Sequence, residues 1–161
     1  DLFYLPAGEH DWNVPLTTVP GVFVRMSGDH GRASIMNWTG SSGIPIHFDT
    51  ETEPILDGIR LDNNGTAAVL IQCDSLRAQF KNFIWSPVIA VTKAMINSRE
   101  DDAIEMWSFH NVYFAGYATQ YSRRGVWIHQ GNSPVFTGYA VFDGLGTGLQ
   151  LGDVNNGGFA S

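Results

Sequence analysis

The stretch Phe109-His110-Asn111-Val112-Tyr113-Phe114 decides the fold, because its pattern of apolar residue, any residue, Gly or Asn, apolar, any, apolar recurs along the chain. The five copies begin at Val19, Leu56, Phe80, Phe109 and Phe136. Their third positions, each occupied by Gly or Asn, are 37, 24, 29 and 27 residues apart. A repeat with a period of about 20 to 50 residues is typical of a solenoid.

The residue at the third position explains the pattern. Glycine adopts a left-handed backbone conformation without steric cost, and asparagine does so more readily than most other residues. Such a residue directly before an apolar-any-apolar strand lets the chain turn sharply and re-enter a sheet with alternate side chains facing inward. We therefore expect positive φ at Gly58, Asn82, Asn111 and Gly138, and we expect these four residues to stack along one edge of the solenoid.

A second pattern, a small residue followed by apolar, any, apolar, alternates with the first from Gly43 onward. Its copies start at Gly43, Ala68, Ala103, Gly125 and Gly148. Each turn then supplies at least two strands, and stacked turns make parallel sheets around an apolar bore. The inward positions predicted in this way are Val69, Ile71, Ile104, Met106, Val126, Ile128, Leu149 and Leu151.

The opening of the chain adds a third pattern. It reads as a Pro-x-Gly turn at Pro6-Ala7-Gly8, a strand, a Pro-Gly step at Pro20-Gly21, a strand ending in Gly28, and another strand through Ser34-Ile35-Met36. In this order it resembles the entry segment of the pectate-lyase-like superfamily of right-handed parallel β-helices. That superfamily is rich in bacteriophage tailspikes and tail appendages and in polysaccharide lyases and hydrolases. The resemblance implies an all-β solenoid, a homotrimer, and a place outside the cell or on a virion tail.

Length and composition indicate a single domain. With 161 residues, of which 43% are hydrophobic, the chain suffices for one core, and no shift in composition marks a boundary. We divide it into an entry segment, residues 1–42, and solenoid turns, residues 43–161, with an excursion near 86–102. The alternative for part of that excursion is a helix from Thr92 to Met106, because many of its residues are good helix formers. Since solenoids need polar caps, and the sequence starts without Met and stops just inside a new turn, we expect a fragment of a longer β-helix.

Charge and cysteine content count against several classes of function. The net charge of −7 disfavours a nucleic-acid partner, which requires a basic face, and the doublet Arg123-Arg124 is expected in a solvated turn. No apolar run approaches the roughly 18 residues of a membrane-inserted span. Cys73 is the single cysteine, so no internal disulfide forms, and by the alternation it points into the bore. The five histidines lack the spacing of a zinc site, so we expect no metal and no cofactor.

The same alternation places a mixed set of aromatic and polar side chains on one outward flank. Aromatic rings cover the apolar face of a pyranose, while imidazole, amide and carboxylate groups hydrogen-bond its hydroxyls. The glycan-binding residues predicted on this basis are Trp107, Trp127, His129, His47 and Tyr113. The alternative is that Trp107 and Trp127 pack against a partner subunit, since exposed aromatic rings also mark protein interfaces.

Candidate catalytic residues lie on the same predicted flank. Glycoside hydrolysis needs two carboxyl groups about 5 to 9.5 Å apart. Glu105 is the first candidate because the alternation places it between the two Trp rings, and coils about 4.8 Å apart bring further carboxyls within reach. The candidate set is Glu105 with Asp101 and Asp102, and Asp49 and Glu51 are further possible partners.

Three functions follow from these features. We expect a bacteriophage tailspike or tail-appendage segment that adsorbs to host cell-surface polysaccharide. One alternative is a polysaccharide depolymerase of the same fold, either a glycoside hydrolase or a lyase, which requires a rigid carboxylate pair. The other is a structural spike shaft whose aromatic side chains are all covered by neighbouring subunits and which binds no glycan.

Overall fold

The computed structural model describes residues 1–30, 32–41, 43–85, 89–101, 103–116, 122–132 and 134–152. These residues form sixteen β-strands and no helix. The strands are β1 (Leu2–Leu5), β2 (Gly8–Trp12), β3 (Leu16–Thr17), β4 (Phe23–Gly28), β5 (Ser34–Trp38), β6 (Ile46–Phe48), β7 (Glu53–Asp57), β8 (Arg60–Asn63), β9 (Val69–Cys73), β10 (Arg77–Lys81), β11 (Ile84–Trp85), β12 (Ala94–Ser98), β13 (Met106–Ala115), β14 (Ser122–Ile128), β15 (Val135–Asp143) and β16 (Leu145–Leu151).

The strands stack into three parallel sheets that the chain visits in turn. The first sheet has the order β1-β4-β7-β10-β13-β15 and the second the order β2-β5-β8-β11-β13-β15, because the long strands β13 and β15 run from one into the other. The third sheet has the order β3-β6-β9-β12-β14-β16. Together they make one β-solenoid of about five turns, which confirms the predicted all-β parallel solenoid.

The predicted column of left-handed residues lies at the corner between the first and second sheets. Gly58, Asn82, Asn111 and Gly138 have φ values of 68°, 48°, 52° and 71°. The residues just before them, from Asp57 to Thr137, are paired from coil to coil, so the four stack along one edge as predicted. Gly21 also has a positive φ of 76°, but it precedes β4 beside Glu51 and belongs to another turn.

The core of the solenoid is a bore filled by stacked aromatic rings. Phe109 lies between Phe80, with ring centroids 5.0 Å apart, and Phe136, at 4.7 Å, and the rings of both pairs are nearly parallel. Phe114 and Phe142 form a second stack at 5.1 Å. The rings of each stack come from equivalent positions in neighbouring coils, so residues at the same position of the repeat lie above one another in the core.

Most of the predicted inward positions are confirmed, and two are wrong. Val69, Ile71, Ile104, Val126 and Ile128 are buried, and Leu149 packs against the core. Met106 is 64% exposed and Leu151 is also exposed. Met106 pairs with Arg77 at the start of β13, and the next residue, Trp107, pairs with Ala78 and faces inward. Leu151 lies in the last described strand, where no described coil covers it.

A bend within the strands of the third sheet explains why simple alternation fails there. Leu70 and Ile71 are consecutive in β9, and Met95 and Ile96 are consecutive in β12, yet all four belong to the core. Two successive inward side chains require a corner in the strand. Leu70 is therefore fully buried, although strict alternation with Val69 and Ile71 would place it on the outer face. In β14 and β16 the residues at this corner are Gly125 and Gly148, and a Cβ on Gly125 would lie only 2.6 Å from the Gly148 carbonyl oxygen.

The excursion after β11 contains a strand of the third sheet. Ala94–Ser98 forms β12 and pairs with β9 and β14, so the alternative of a helix from Thr92 to Met106 is wrong for these residues. The second pattern identified Ala103 to Met106 as the strand of this coil, but residues 103–105 precede β13, and Met106 is the first residue of β13. No helix long and apolar enough to cross a membrane is found in the described part of the chain.

Candidate functional site

Trp107 faces the bore, so the prediction that it faces outward is wrong. Its side chain is fully buried, its indole N–H donates to the Ser75 carbonyl oxygen at 2.9 Å, and its ring lies edge-on to Phe80. The physical reason is the pairing of Trp107 with Ala78, which fixes the phase of β13. A ring in this position has no face to offer a ligand.

Trp127 and His129 leave the third sheet on its outer side but are covered there. The Arg124 guanidinium stacks over the Trp127 ring at 4.0 Å, and the His129 ring packs against it at 4.1 Å. The Trp127 indole donates to the Gly152 carbonyl oxygen at 3.1 Å. All three side chains are buried, so Arg124 is not in a solvated turn, and the predicted exposure of Trp127 and His129 is wrong.

His47 pairs through Gln72 and Asn97 with Trp127 along the third sheet, and it belongs to a polar ladder. Its Nε2 lies 2.8 Å from Asp74 Oδ2, and Gln72 donates to the other oxygen of Asp74 at 2.6 Å. Asn97, in the next coil, donates to Gln72 at 2.9 Å. These side chains are partly or fully buried and hydrogen-bond one another from coil to coil.

Tyr113 lies on the second sheet, away from the residues of the third. Its hydroxyl donates to Asp143 Oδ2 at 3.1 Å. Partial burial, and then this hydrogen bond, raise the pKa of Tyr113. The five predicted glycan-binding residues thus divide among the bore, the second sheet and the third sheet, and they form no common surface.

The candidate catalytic carboxylates are also separated. Glu105 is exposed and lies 3.2 Å from Arg77 Nε, while Arg77 Nη1 lies 3.5 Å from Glu53. The structure therefore brings Glu53 rather than Asp101 towards Glu105. Asp101 is hydrogen-bonded to Arg99, which holds the pKa of its carboxyl below the ordinary value. A general acid requires the opposite shift. Asp102 lies outside the described residues.

A polar groove runs along the column of left-handed residues, and sequence reasoning missed it. This turn-edge groove has a volume of about 270 Å³ and is lined by Arg25, Ser27, Gly28, Asp29, His30, Asp57, Gly58, Asn82 and Tyr139. Its lining comes from the ends of β4, β7 and β10, with Tyr139 contributed by β15. The sequence signal was present in part, because the corner column itself was predicted.

Two glycines keep part of the groove lining free of side chains. Gly28 and Gly58 lie side by side in successive coils, and a Cβ on Gly28 would come within 2.6 Å of the Gly58 carbonyl oxygen. A Cβ on Gly58 would lie 2.9 Å from the Gly28 carbonyl oxygen, and Gly58 also has positive φ. Both positions therefore require glycine, and no side chain covers this part of the groove lining.

The carboxylates of the groove already have partners. Asp29 accepts hydrogen bonds from the Tyr4 hydroxyl and, at 2.8 Å, from the Ala7 backbone N–H. These two hydrogen bonds hold the pKa of Asp29 below its ordinary value. The bond between Tyr4 and Asp29 also raises the pKa of Tyr4. Asp57 accepts a hydrogen bond from the Asn82 side-chain amide at 2.9 Å and lies 3.8 Å from Arg25.

Three other side chains of the groove are available to a ligand. The Arg25 side chain is 50% exposed, and within the described residues its closest charged partner is Asp57, beyond hydrogen-bond distance. His30 is exposed, and its Nδ1 accepts from the Arg32 backbone N–H at 3.1 Å, which leaves Nε2 as the protonated nitrogen of the neutral ring. Tyr139 is 52% exposed, and its backbone is held by the bond from its N–H to Asn111 Oδ1.

The fold and the groove define the class: an all-β parallel solenoid with a polar groove and an exposed tyrosine along one edge. The chain matches no family model, and it matches no curated protein and no solved structure. Within the described residues, no three His, Cys, Asp or Glu side chains are grouped closely enough to hold a metal ion.

Proposed function

We propose that this chain is a segment of a β-solenoid of the tailspike or tail-appendage type that binds cell-surface glycan through the turn-edge groove. The observation that carries the proposal is the exposed Tyr139 ring at a groove that also presents unpaired hydrogen-bonding groups. An aromatic face covers the apolar face of a sugar ring, while polar side chains hydrogen-bond its hydroxyls. The groove volume of about 270 Å³ is near the lower end for small-ligand sites, roughly 300 Å³, and suits one sugar unit of a longer chain.

The outer face of the first sheet supports the proposed homotrimer. Phe23 and Met106 are large, apolar and exposed there, at 51% and 64%, and the ion pairs from Arg77 to Glu53 and Glu105 lie beside them. Exposed apolar side chains mixed with charges are typical of subunit interfaces. We propose an extracellular location, on a virion tail.

A polysaccharide hydrolase is the second candidate, and one observation favours it. Glu53 and Glu105 lie on the same outer face, two coils apart, which corresponds to roughly 9.6 Å between their backbones. Inverting glycosidases hold their carboxyls about 6.5 to 9.5 Å apart. Both carboxylates, however, contact the guanidinium of Arg77, which lies between them. Binding without turnover is the better supported function.

The test of glycan binding compares two exposed aromatic side chains in the complete chain of 161 residues. A broad glycan array first identifies saccharides that bind the wild-type chain, and titration calorimetry then measures the affinity for each of them. In Tyr139→Ala this affinity should fall at least tenfold or be lost. The matched control is Phe23→Ala, because Phe23 is equally exposed but lies outside the groove. The proposal fails if the array shows no saccharide binding, or if Phe23→Ala reduces binding as much as Tyr139→Ala does.

A further inference from the structure

We infer that the sugar unit held in the turn-edge groove carries an acetyl group, as an N-acetylated monosaccharide. This inference rests on the proposed glycan-binding function and names the class of sugar at the same site. The free hydrogen-bonding groups of the groove and the charges around them point to this class of sugar.

The free side chains of the groove are predominantly donors. Arg25 presents guanidinium N–H groups that no described residue accepts, since Asp57 lies 3.8 Å away. His30 presents its Nε2–H, because Nδ1 is the acceptor for the Arg32 backbone N–H. Tyr139 and Ser27 carry hydroxyl groups, which donate or accept. A ligand that satisfies these groups must present acceptors.

Each carboxylate of the groove is already engaged by at least one hydrogen bond within the protein. Asp29 receives two hydrogen bonds, from Tyr4 and Ala7, and Asp57 receives one from Asn82. The side-chain oxygen of Asn82 accepts from the Asn111 amide at 3.4 Å.

The charge of the groove disfavours an anionic acceptor. Two carboxylates, Asp29 and Asp57, line it together with the single guanidinium of Arg25, and the whole chain carries a net charge of −7. A uronate or phosphate bound by Arg25 would lie close to Asp57, and like charges at such distances repel. An acetyl carbonyl is an uncharged acceptor, so it matches the donors without this repulsion.

The apolar part of an acetyl group also has a complement. Its methyl group needs an apolar surface beside the polar one, and the exposed Tyr139 ring lies at the same groove as Arg25 and His30. The groove thus combines free donors, an aromatic face and no excess of positive charge. We expect the carbonyl to accept from Arg25 and His30 and the methyl group to contact Tyr139.

Three trisaccharides with the same β-1,4 linkage test the inference: triacetylchitotriose, cellotriose and triglucuronate. The first two differ only in an acetamido or hydroxyl group at C2. In titration calorimetry with the complete chain, triacetylchitotriose should bind at least tenfold more tightly than cellotriose, and triglucuronate should bind least. Saturation-transfer NMR should show the strongest effect on the acetyl methyl protons. In Arg25→Gln the tenfold preference for triacetylchitotriose over cellotriose should disappear.

Each alternative result has a separate meaning. Equal binding of triacetylchitotriose and cellotriose overturns the acetyl inference and leaves glycan binding intact. Tighter binding of triglucuronate overturns it in favour of a carboxylate-bearing sugar. Absence of binding to triacetylchitotriose also overturns it, whereas the glycan-binding function itself fails only if the broad array is negative as well.

Discussion

The Asn111 side chain donates a hydrogen bond to the side-chain oxygen of Asn82, 3.4 Å away in the preceding coil, and both residues have positive φ. The chain of bonds continues in both directions, because Asn82 donates to Asp57 and the Tyr139 backbone N–H donates to Asn111. Residues from four coils are thereby joined along one edge. The ladder that shapes the corner of the solenoid also positions Asp57 and Tyr139 in the turn-edge groove.

Two substitutions at Asn111 separate the backbone requirement from the amide bonds. Asn111→Gly keeps the left-handed conformation and loses the bonds to Asn82 and Tyr139, so we expect it to lower the free energy of unfolding by about 1 kcal/mol. Asn111→Ala loses the same bonds and adds the steric cost of a left-handed residue with a Cβ, about 1 to 2 kcal/mol more. Urea unfolding measures both. The interpretation is wrong if Asn111→Ala is as stable as Asn111→Gly.

The aromatic column of the bore gives the largest expected loss of stability. Phe109 is fully buried between Phe80 and Phe136, so Phe109→Ala should lower the free energy of unfolding by about 3 to 5 kcal/mol. Met106→Ala, in the same strand, is the control, because its exposed side chain should contribute no more than about 0.5 kcal/mol. A comparable loss in both variants, measured by denaturant titration, would contradict the register of β13.

The corner column could be predicted from the sequence because its requirement is local. A left-handed residue before a strand needs Gly or Asn whatever lies around it, and Gly58, Asn82, Asn111 and Gly138 satisfy this rule. Many of the side chains buried in the bore could also be predicted locally, because alternation of apolar and other residues shows which face of a strand is apolar.

The sequence did not show which side chains of an individual strand face the bore, because that depends on pairing with distant residues. Trp107 faces the bore because it pairs with Ala78, and a slip of one residue exchanges the two faces of a strand. Trp127 does face outward, but the bend at Gly125 lets Arg124 lie over its ring. The turn-edge groove combines Arg25 from the second coil with Tyr139 from the last described one, and only the stacking of coils brings them together.

The bond between Tyr4 and Asp29 predicts a measurable change of pKa at the edge of the groove. The Tyr4 hydroxyl and then the Ala7 N–H lower the pKa of Asp29, so Tyr4→Phe should raise it towards the ordinary value of about 3.9. NMR titration of the side-chain carboxyl carbons measures this shift. Asp101 is the control, because Arg99 lowers its pKa independently of Tyr4. An unchanged Asp29 pKa in Tyr4→Phe would contradict the hydrogen bond.

The hydrogen bond between Tyr4 and Asp29 stabilises the fold only within a limited pH range. Because the pKa of Asp29 is lowered in the folded state, its contribution is present above the unfolded pKa of about 3.9 and is lost as pH falls through the folded pKa. Because the pKa of Tyr4 is raised, its contribution is present below about pH 10 and is lost as pH rises through the folded pKa. The stability difference between the wild-type chain and Tyr4→Phe should therefore narrow in acid and again in strong alkali.

Conservative changes of the two carboxylates beside Arg77 distinguish binding from hydrolysis. In a binding protein that uses the turn-edge groove, Glu53→Gln and Glu105→Gln should leave glycan affinity within about twofold of wild type, since neither residue lines that groove. Each change removes an exposed ion pair with Arg77, which contributes about 0 to 1 kcal/mol to stability, so both variants should fold.

A hydrolase that uses this pair would retain substrate binding and lose its turnover in both variants. The measurement is the release of reducing ends from any polysaccharide that the array identifies. If the wild-type chain releases reducing ends and both Gln variants do not, the binding-only function is overturned in favour of the depolymerase.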